Sequence, residues 1–354
     1  MLKRFAVSVF TLMTIVSCQE VVEENWIESD VVGISMKANE YLFYPEIIKQ
    51  TAKGGYIILD EGHKSPILNF DSNFKLISKS GVKGNGPLQI EGFRDVVPST
   101  NQNDTTYLID MYGDKIICYD KEMNAVDSRK LDFNGRPAFT NFYNDSICVI
   151  GYRGCNTMAR LVDRRTMRDL TKDIYFAPPK NEGVSIGASY DLYESFSVYN
   201  QKNREIIFFP IYNIDDVLIY DESGRLTEVV EGPARITPKV TEADENLFMS
   251  SRPDFSAYQN PVKICGDYVV VGYSGLFQNR DNSDFYSDGQ QLLVFSLSSN
   301  RFIAKVNLTP VFYFIGGAFD CDSKVLSLLG NRPNEDGKEV YNFDLSGVFN
   351  SLKE

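Results

Sequence analysis

The chain holds a single histidine, His63, and a single tryptophan, Trp26. His₃ and His₂Glu zinc centres need more imidazoles than that. A Ser-His-Asp triad would have to use His63. That residue sits in the turn Glu61-Gly-His-Lys-Ser65, where it reads as a solvated loop side chain. Basic residues are also short, with 36 Lys and Arg against 48 Asp and Glu, for a net charge of −12. Nucleic-acid binding needs clustered Lys and Arg, so this balance argues against it and against an electrostatic membrane patch. No CxxC occurs. No phosphate loop is present either. Gly84-Asn-Gly-Pro lacks a following Lys-Ser/Thr and a helix start, and reads as a turn. Amphipathic helices are almost missing. The best is Thr241 to Met249, with Thr241 as N-cap.

The longest apolar stretch is Phe5 to Val16, broken only by Ser8, Thr11 and Thr14, after the positive pair Lys3 and Arg4. It is too short to span a bilayer as a helix. Its order, charge then apolar run, is that of a secretory signal. The run ends in Ile15-Val16-Ser17-Cys18, which resembles a bacterial lipobox. Residues 1–17 are expected to be a signal peptide. Cys18 is expected to be the lipidated first residue, with 18–30 as an acidic tether. More than one acyl chain gives stable anchoring. Gln19 is not the Asp that, by resemblance to enterobacterial lipoproteins, retains a protein at the inner membrane. The expected location is the outer membrane, periplasmic or surface-facing, with the lipid as the sole membrane contact. Beside Cys18 there are five cysteines at irregular spacing, Cys118, Cys148, Cys155, Cys265 and Cys321. They read mostly as small buried hydrophobes, with Cys148 and Cys155 able to pair across a hairpin.

Aromatic residues are plentiful, 20 Tyr and 24 Phe, and β-branched runs are broken by Gly, Asn and Asp. That is strand vocabulary. One unit recurs: an apolar strand, an aromatic, an Asp or Ser, a turn, then a second strand. Its copies end their first strand at Asp71, Asp120, Asp163, Asp221, Ser296 and Asp344. The spacing averages about 55 residues, the size of a propeller blade. An Asp or Ser there can bond the backbone two residues on and so open a tight turn. Two further strand-like runs precede each hairpin, for example Phe93 to Val97 and Thr106 to Asp110. The expected fold is therefore an all-β, six-bladed propeller over 31–354, with four-stranded antiparallel blades. The sixth unit lacks its fourth strand. The run from Val31 to Met36 is expected to supply it and close the ring.

These features carry a resemblance over about residues 18–354 to the TolB-like six-bladed propeller lipoproteins of Bacteroidetes. The lipobox, the repeated hairpins and the stretch Ser80-Gly-Val-Lys-Gly-Asn-Gly-Pro-Leu-Gln89 carry it. Related propellers often have Gly-x-Gly-Pro-Gly-Glu there. This chain matches at Gly84, Gly86 and Pro87, then departs at Leu88 and Gln89. The resemblance implies fold and location, since the family has no agreed activity. It also implies that Asp104-Thr-Thr106 and Asp145-Ser-Ile147 fit a triplet glycosylated in such organisms. Sialidase-type propellers carry Ser-x-Asp-x-Gly-x-Thr-Trp boxes, and none is present.

In a propeller, the loops between second and third strands and those between blades share one face. The long loops of this chain fall in that class: 177–191, 231–261, 274–290 and 330–338. They bring Arg252, Phe277, Arg280, Phe285 and Tyr286 to one rim as candidate ligand-binding residues. Aromatics beside arginine suit a sugar or a peptide. Asp281, Asp284 and Asp288 make a weak calcium candidate, since Phe285 falls where an EF-hand would place its third ligand. No cofactor and no catalytic residue is nominated. The expected role is a lipid-anchored binding or scaffold protein whose partner is an envelope protein complex or a glycan. The alternative is a glycan-active hydrolase or lyase using Tyr, Arg and carboxylates at the channel mouth.

Overall fold

A computed structural model describes residues 26–36, 39–99, 105–110, 112–130, 136–142, 147–153, 158–163, 166, 168–170, 176–177, 179, 193–211, 214–235, 255–277, 291–309, 313–331 and 338–352. Two strands open the chain, β1 (Ile27–Val32) and β2 (Ile34–Met36). A first sheet follows, β3 (Pro45–Gln50), β4 (Tyr56–Asp60), β5 (Ile67–Phe70) and β6 (Leu76–Ser80). The second is β7 (Phe93–Val97), β8 (Thr106–Asp110), β9 (Lys115–Tyr119) and β10 (Ala125–Lys130). The third is β11 (Arg136–Phe142), β12 (Ile147–Arg153), β13 (Ala159–Asp163) and β14 (Arg168–Asp169). The fourth is β15 (Ser195–Asn200), β16 (Glu205–Pro210), β17 (Val217–Asp221) and β18 (Leu226–Val230). The fifth holds β19 (Phe255–Cys265), β20 (Tyr268–Phe277), β21 (Gln291–Ser296) and β22 (Arg301–Thr309). The last holds β23 (Tyr313–Asp320), β24 (Val325–Asn331) and β25 (Lys338–Asp344), then helix α1 (Ser346–Ser351).

Within each sheet the strands follow chain order as an antiparallel meander. The first strand of each sheet packs against the first strand of the next, from β3 through β7, β11, β15, β19 and β23 and back to β3. This is a β-propeller, with the first strands lining a central channel. Second and third strands are packed on both faces by neighbouring blades. They accordingly read as continuous apolar runs, as in Ile57-Ile58-Leu59 or Ile116-Ile117-Cys118, all buried. The fourth strands β6 and β22 alternate instead. β22 runs from exposed Arg301 through buried Phe302 to exposed Thr309 with period two.

The N-terminal expectation needs correction. Five sheets have four strands, not six, because the fifth blade carries five. β1 adds in parallel to the outside of β22, Ile27 beside Ala304 through Val32 beside Thr309. It begins inside the stretch read as tether. Trp26 packs there too, its ring 6.0 Å from that of Phe302. The run from Val31 to Met36 is thus no single closing strand. Val31 and Val32 belong to the fifth blade, and only Ile34–Met36 pairs antiparallel with β25. Gly33 makes the crossing. A Cβ on it would lie 2.5 Å from the Phe343 ring.

Turn chemistry recurs as the spacing implies. Asp71 Oδ1 accepts from the amides of Asn73 and Lys75, each at 2.9 Å, and Asp221 Oδ1 from Ser223 and Arg225, each at 3.0 Å. Asp120 accepts from Asn124, Asp163 from Thr166, and Asp344 from Ser346. Three residues past three of these Asp residues the backbone turns left-handed, at Phe74 (φ 58°), Met123 (φ 64°) and Gly224 (φ 83°). Each of these hairpins carries a register shift near the turn. That is a type I turn closed by a bulge.

A second aspartate device was missed in the sequence. Asp60, fully buried at the end of β4, accepts the amides of Phe43, Tyr44 and Gly62 at 2.7–2.9 Å. Asp110, buried at the end of β8, accepts those of Glu91, Gly92 and Gly113 at 2.8–3.0 Å. Each clamps the segment that leads into its blade's first strand. His63 is also not solvated. It is 9% exposed, with its ring against Phe43 and Nε2 2.6 Å from the Tyr41 carbonyl. Lys79 Nζ lies 3.3 Å from Nδ1, so the ring bridges the segment before β3 to β6. Finally, Cys265 and Cys321 form a disulfide, with Cα atoms 5.4 Å apart, joining the sheet of β19 to the sheet of β23. That corrects the reading of these two as hydrophobes. Cys118 is free and buried, and Cys155, the suggested partner of Cys148, lies outside the described residues.

Candidate functional site

Each first strand runs from one mouth of the channel to the other. The turns from first to second strand surround one end, here the turn mouth. The interblade loops and the loops from second to third strand surround the other, the loop mouth. At the turn mouth the channel widens to a cavity of about 1060 Å³. Its walls are strand ends and the turns just past them: Lys49 to Ala52 at the end of β3, Val96, Pro98 and Ser99 at the end of β7, Val198 to Lys202 at the end of β15, Asn260 to Ile264 on β19 with Gly266 and Asp267 beyond it, and Gly317 to Asp322 at the end of β23. First strands converge on the axis, so their last residues face the channel from several directions at once. Gly317 shows how tight the convergence is. A Cβ there would lie 2.5 Å from Leu328 and 2.7 Å from the Pro261 ring.

The lining mixes polar and apolar side chains, and several of its charges are engaged. Lys49 Nζ lies 3.2 Å from Asp95 Oδ1, tying the first blade to the second; Asp95 is 6% exposed. Asp95 also accepts the Val96 amide at 2.8 Å. Lys202 and Asp267 pair at 3.5 Å across the fourth and fifth blades, both well exposed at the rim. Burial works to raise the Asp320 carboxyl. The amides of Asp322 and Ser323 and the Gln50 side chain outweigh it, so its pKa ends below the usual value. Amide side chains of Gln50, Asn200, Gln201 and Asn260 complete the wall. Such groups donate and accept at once, the chemistry that recognises hydroxyl-rich ligands.

The loop mouth differs. Arg94, entering β7, reaches Glu194, just before β15, at 2.9 Å, so the pair spans two blades away. Glu194 is 3% exposed and Arg94 37%. Glu46, on β3, has its pKa raised by desolvation first and then by Glu61, against the pull of Lys338 and Arg94. Lys338 is lowered by burial, with Glu46 and Asp60 opposing.

None of the residues nominated from sequence is brought together in the described structure. Phe277 ends β20. Arg252, Arg280, Phe285, Tyr286, the calcium candidates Asp281, Asp284 and Asp288, and Cys18 lie outside the described residues. So does the helix read at Thr241 to Met249. Among the described residues, no group of three or more His, Cys, Asp or Glu is placed to hold a metal ion, and no helix is long and apolar enough to cross a membrane.

Solved structures share this fold. One is a member of the DUF4221 family from Bacteroides vulgatus, 12% identical, with a TM-score of 0.60 over 91% of this chain and 99% of that one. Another is a Bacteroides fragilis protein described as exported, 10% identical, with a TM-score of 0.51 over 89% and 98%. The neighbours are propellers from Bacteroides. At these identities the likeness establishes the fold. No protein-family model and no curated protein matches the sequence.

Proposed function

We propose that the chain is a lipid-anchored binding propeller of the bacterial envelope, of the TolB-like kind, held at the outer membrane through Cys18. Its ring is six-bladed, with the N-terminal strands completing the last two blades. The observation that carries the binding reading is the cavity of about 1060 Å³, part polar and part apolar, built from the ends of first strands. Its size suits a small ligand, and its amide lining suits an oligosaccharide. Rigid strand ends limit the ordering cost of binding. Export is supported by the Cys265–Cys321 disulfide, which persists in oxidising compartments, by the likeness to an exported Bacteroides protein, and by the signal-like N-terminus. The loop mouth, with Arg252, Phe277, Arg280, Phe285 and Tyr286, is the face proposed for a protein partner.

Calorimetry against a panel of envelope oligosaccharides tests the binding reading. Wild type is expected to bind at least one without consuming it, and Ser99→Trp, which projects a bulky ring from the cavity wall, to weaken that binding at unchanged stability. Retained affinity in Ser99→Trp would move the site elsewhere. A second reading, glycan hydrolysis or lysis, is favoured by Glu46. A carboxyl with raised pKa beside Glu61, Lys338 and Arg94 at a channel mouth is the arrangement an acid catalyst uses. Product release that vanishes in Glu46→Gln would establish it in place of the first.

A further inference from the structure

The direction of β1 orients the anchored protein. β22, the fourth strand of its blade, starts at the turn mouth, at Arg301, and ends at the loop mouth, at Thr309. β1 pairs with it in parallel, so Ile27 lies at the turn end and Val32 at the loop end. Trp26 confirms the sense. It contacts Phe302 and the core beside Leu297, and Leu297 itself lines the cavity. Its amide donates to Asp267 at the cavity rim, at 2.9 Å. The chain therefore enters the propeller on the face where the cavity opens.

Resting on the reading of Cys18 as the lipid attachment, we infer that the turn mouth with its cavity is the membrane-proximal surface, and that the loop mouth points away. Eight residue steps separate Cys18 from Trp26. Fully extended they span at most about 29 Å. The opposite orientation would make the tether climb back along β1, about 20 Å tall at six residues. That leaves too little chain to clear the loops and reach a bilayer beyond them. The proximal face fits an uncharged bilayer surface: exposed Lys53, Lys121 and Lys202 are offset by Glu122, Asp267 and Asp322. A ligand of the cavity would come from the membrane side, and a protein partner would meet the distal loops.

Energy transfer on the full-length lipidated protein tests this. A donor dye is placed on Lys53→Cys, at the turn mouth, or on Lys64→Cys, in the loop from second to third strand. Vesicles of phosphatidylcholine carry a headgroup acceptor, and dye taken up by the parent protein is the background. Flotation with the vesicles, lost in Cys18→Ser, checks the anchor first. Transfer from Lys53→Cys is expected to be several-fold stronger than from Lys64→Cys, with little dependence on salt. Equal or reversed transfer in a protein that floats would overturn the orientation and leave the anchor standing. Flotation that survives Cys18→Ser, or no flotation at all, would overturn the anchor reading and the orientation with it.

Discussion

Asp110→Asn should destabilise the propeller far more than its small change in shape implies. The Asp110 carboxylate is fully buried and takes three backbone amides, from Glu91, Gly92 and Gly113. Lys115 Nζ stands 3.7 Å away, itself donating to the Gly86 carbonyl. An asparagine can keep its oxygen on Gly92 and Gly113. Its amide nitrogen must then face the Glu91 N–H, donor against donor, and the neighbouring ammonium loses its counter-charge. Hydrogen bonds to a charged group are worth about 1.5–3 kcal/mol, and an unsatisfied buried donor costs about 1–3 kcal/mol. Non-additivity within one site brings the expected loss to about 3–4 kcal/mol. With an m-value of about 3 kcal/mol/M, the urea midpoint should fall by about 1 M. Asp71→Asn is the control. It keeps the same chemistry in an exposed turn and should cost under about 1 kcal/mol. A midpoint for Asp110→Asn within error of Asp71→Asn would refute the clamp argument.

Reduction of Cys265–Cys321, or its replacement by serines, should cost up to about 4 kcal/mol from the chain entropy released in a loop closed over 56 residues. For a domain of this size that is about 6 °C in Tm; coincident melting with and without reductant would show the bond is not formed in solution. Asp216, half-buried, has its pKa raised by burial first, then by Asp215 and Glu231, against the Gly232 amide. Its ionised form therefore strains the folded state at neutral pH. Asp216→Asn should stabilise the fold at pH 7, and the gain should vanish as pH falls below 3.8, the usual value. Asp221 is held low by the Ser223 hydroxyl, Asp120 by the Asn124 amide and Asp344 by the Ser346 hydroxyl. These groups stabilise fully above the unfolded value of 3.8 and lose that stabilisation as pH falls through their folded values. Their contribution to the unfolding midpoint should thus be flat above about pH 5 and fall below 3.8; a decline starting near pH 6 would point to other groups.

The blade repeat was legible because one residue both ends a strand and builds the next turn. Asp71, Asp120 and Asp221 were visible as punctuation, and β7 and β8 fall on the residues read as strands. β1 was not legible, for a physical reason. Residues 27–32 alternate half-buried and exposed, but two of the exposed positions are Glu28 and Asp30. Following an acidic stretch, they read as tether. Ile27, Ser29 and Val31 at period two were the available signal. The Asp60 and Asp110 clamps were hidden because their partners are backbone amides up to 19 residues away. An amide leaves no mark on a sequence. Cys265 and Cys321 meet through the packing of two blades, which no local spacing encodes.

The site was less legible than the fold. Sequence draws attention to long loops and clustered side-chain types, and both pointed to the loop mouth. The cavity at the turn mouth is made by the opposite kind of element. Short turns and strand ends, such as Thr51, Ser99, Gln201, Gly266 and Asp320, come from five blades and share no motif. What unites them is position: each stands at or just past the end of a first strand. Those strands converge on an axis, so small or polar residues at their ends leave a void where large apolar ones would seal it. Gly54 beyond β3 leaves open space beside it, while Lys49 and Asp95 spend their charge on each other. A reading that first assigned strand order, and then compared the last residues of every first strand, would have found the cavity without any motif. Trp26, just before β1, packs against the core that includes Leu297 of that same cavity wall.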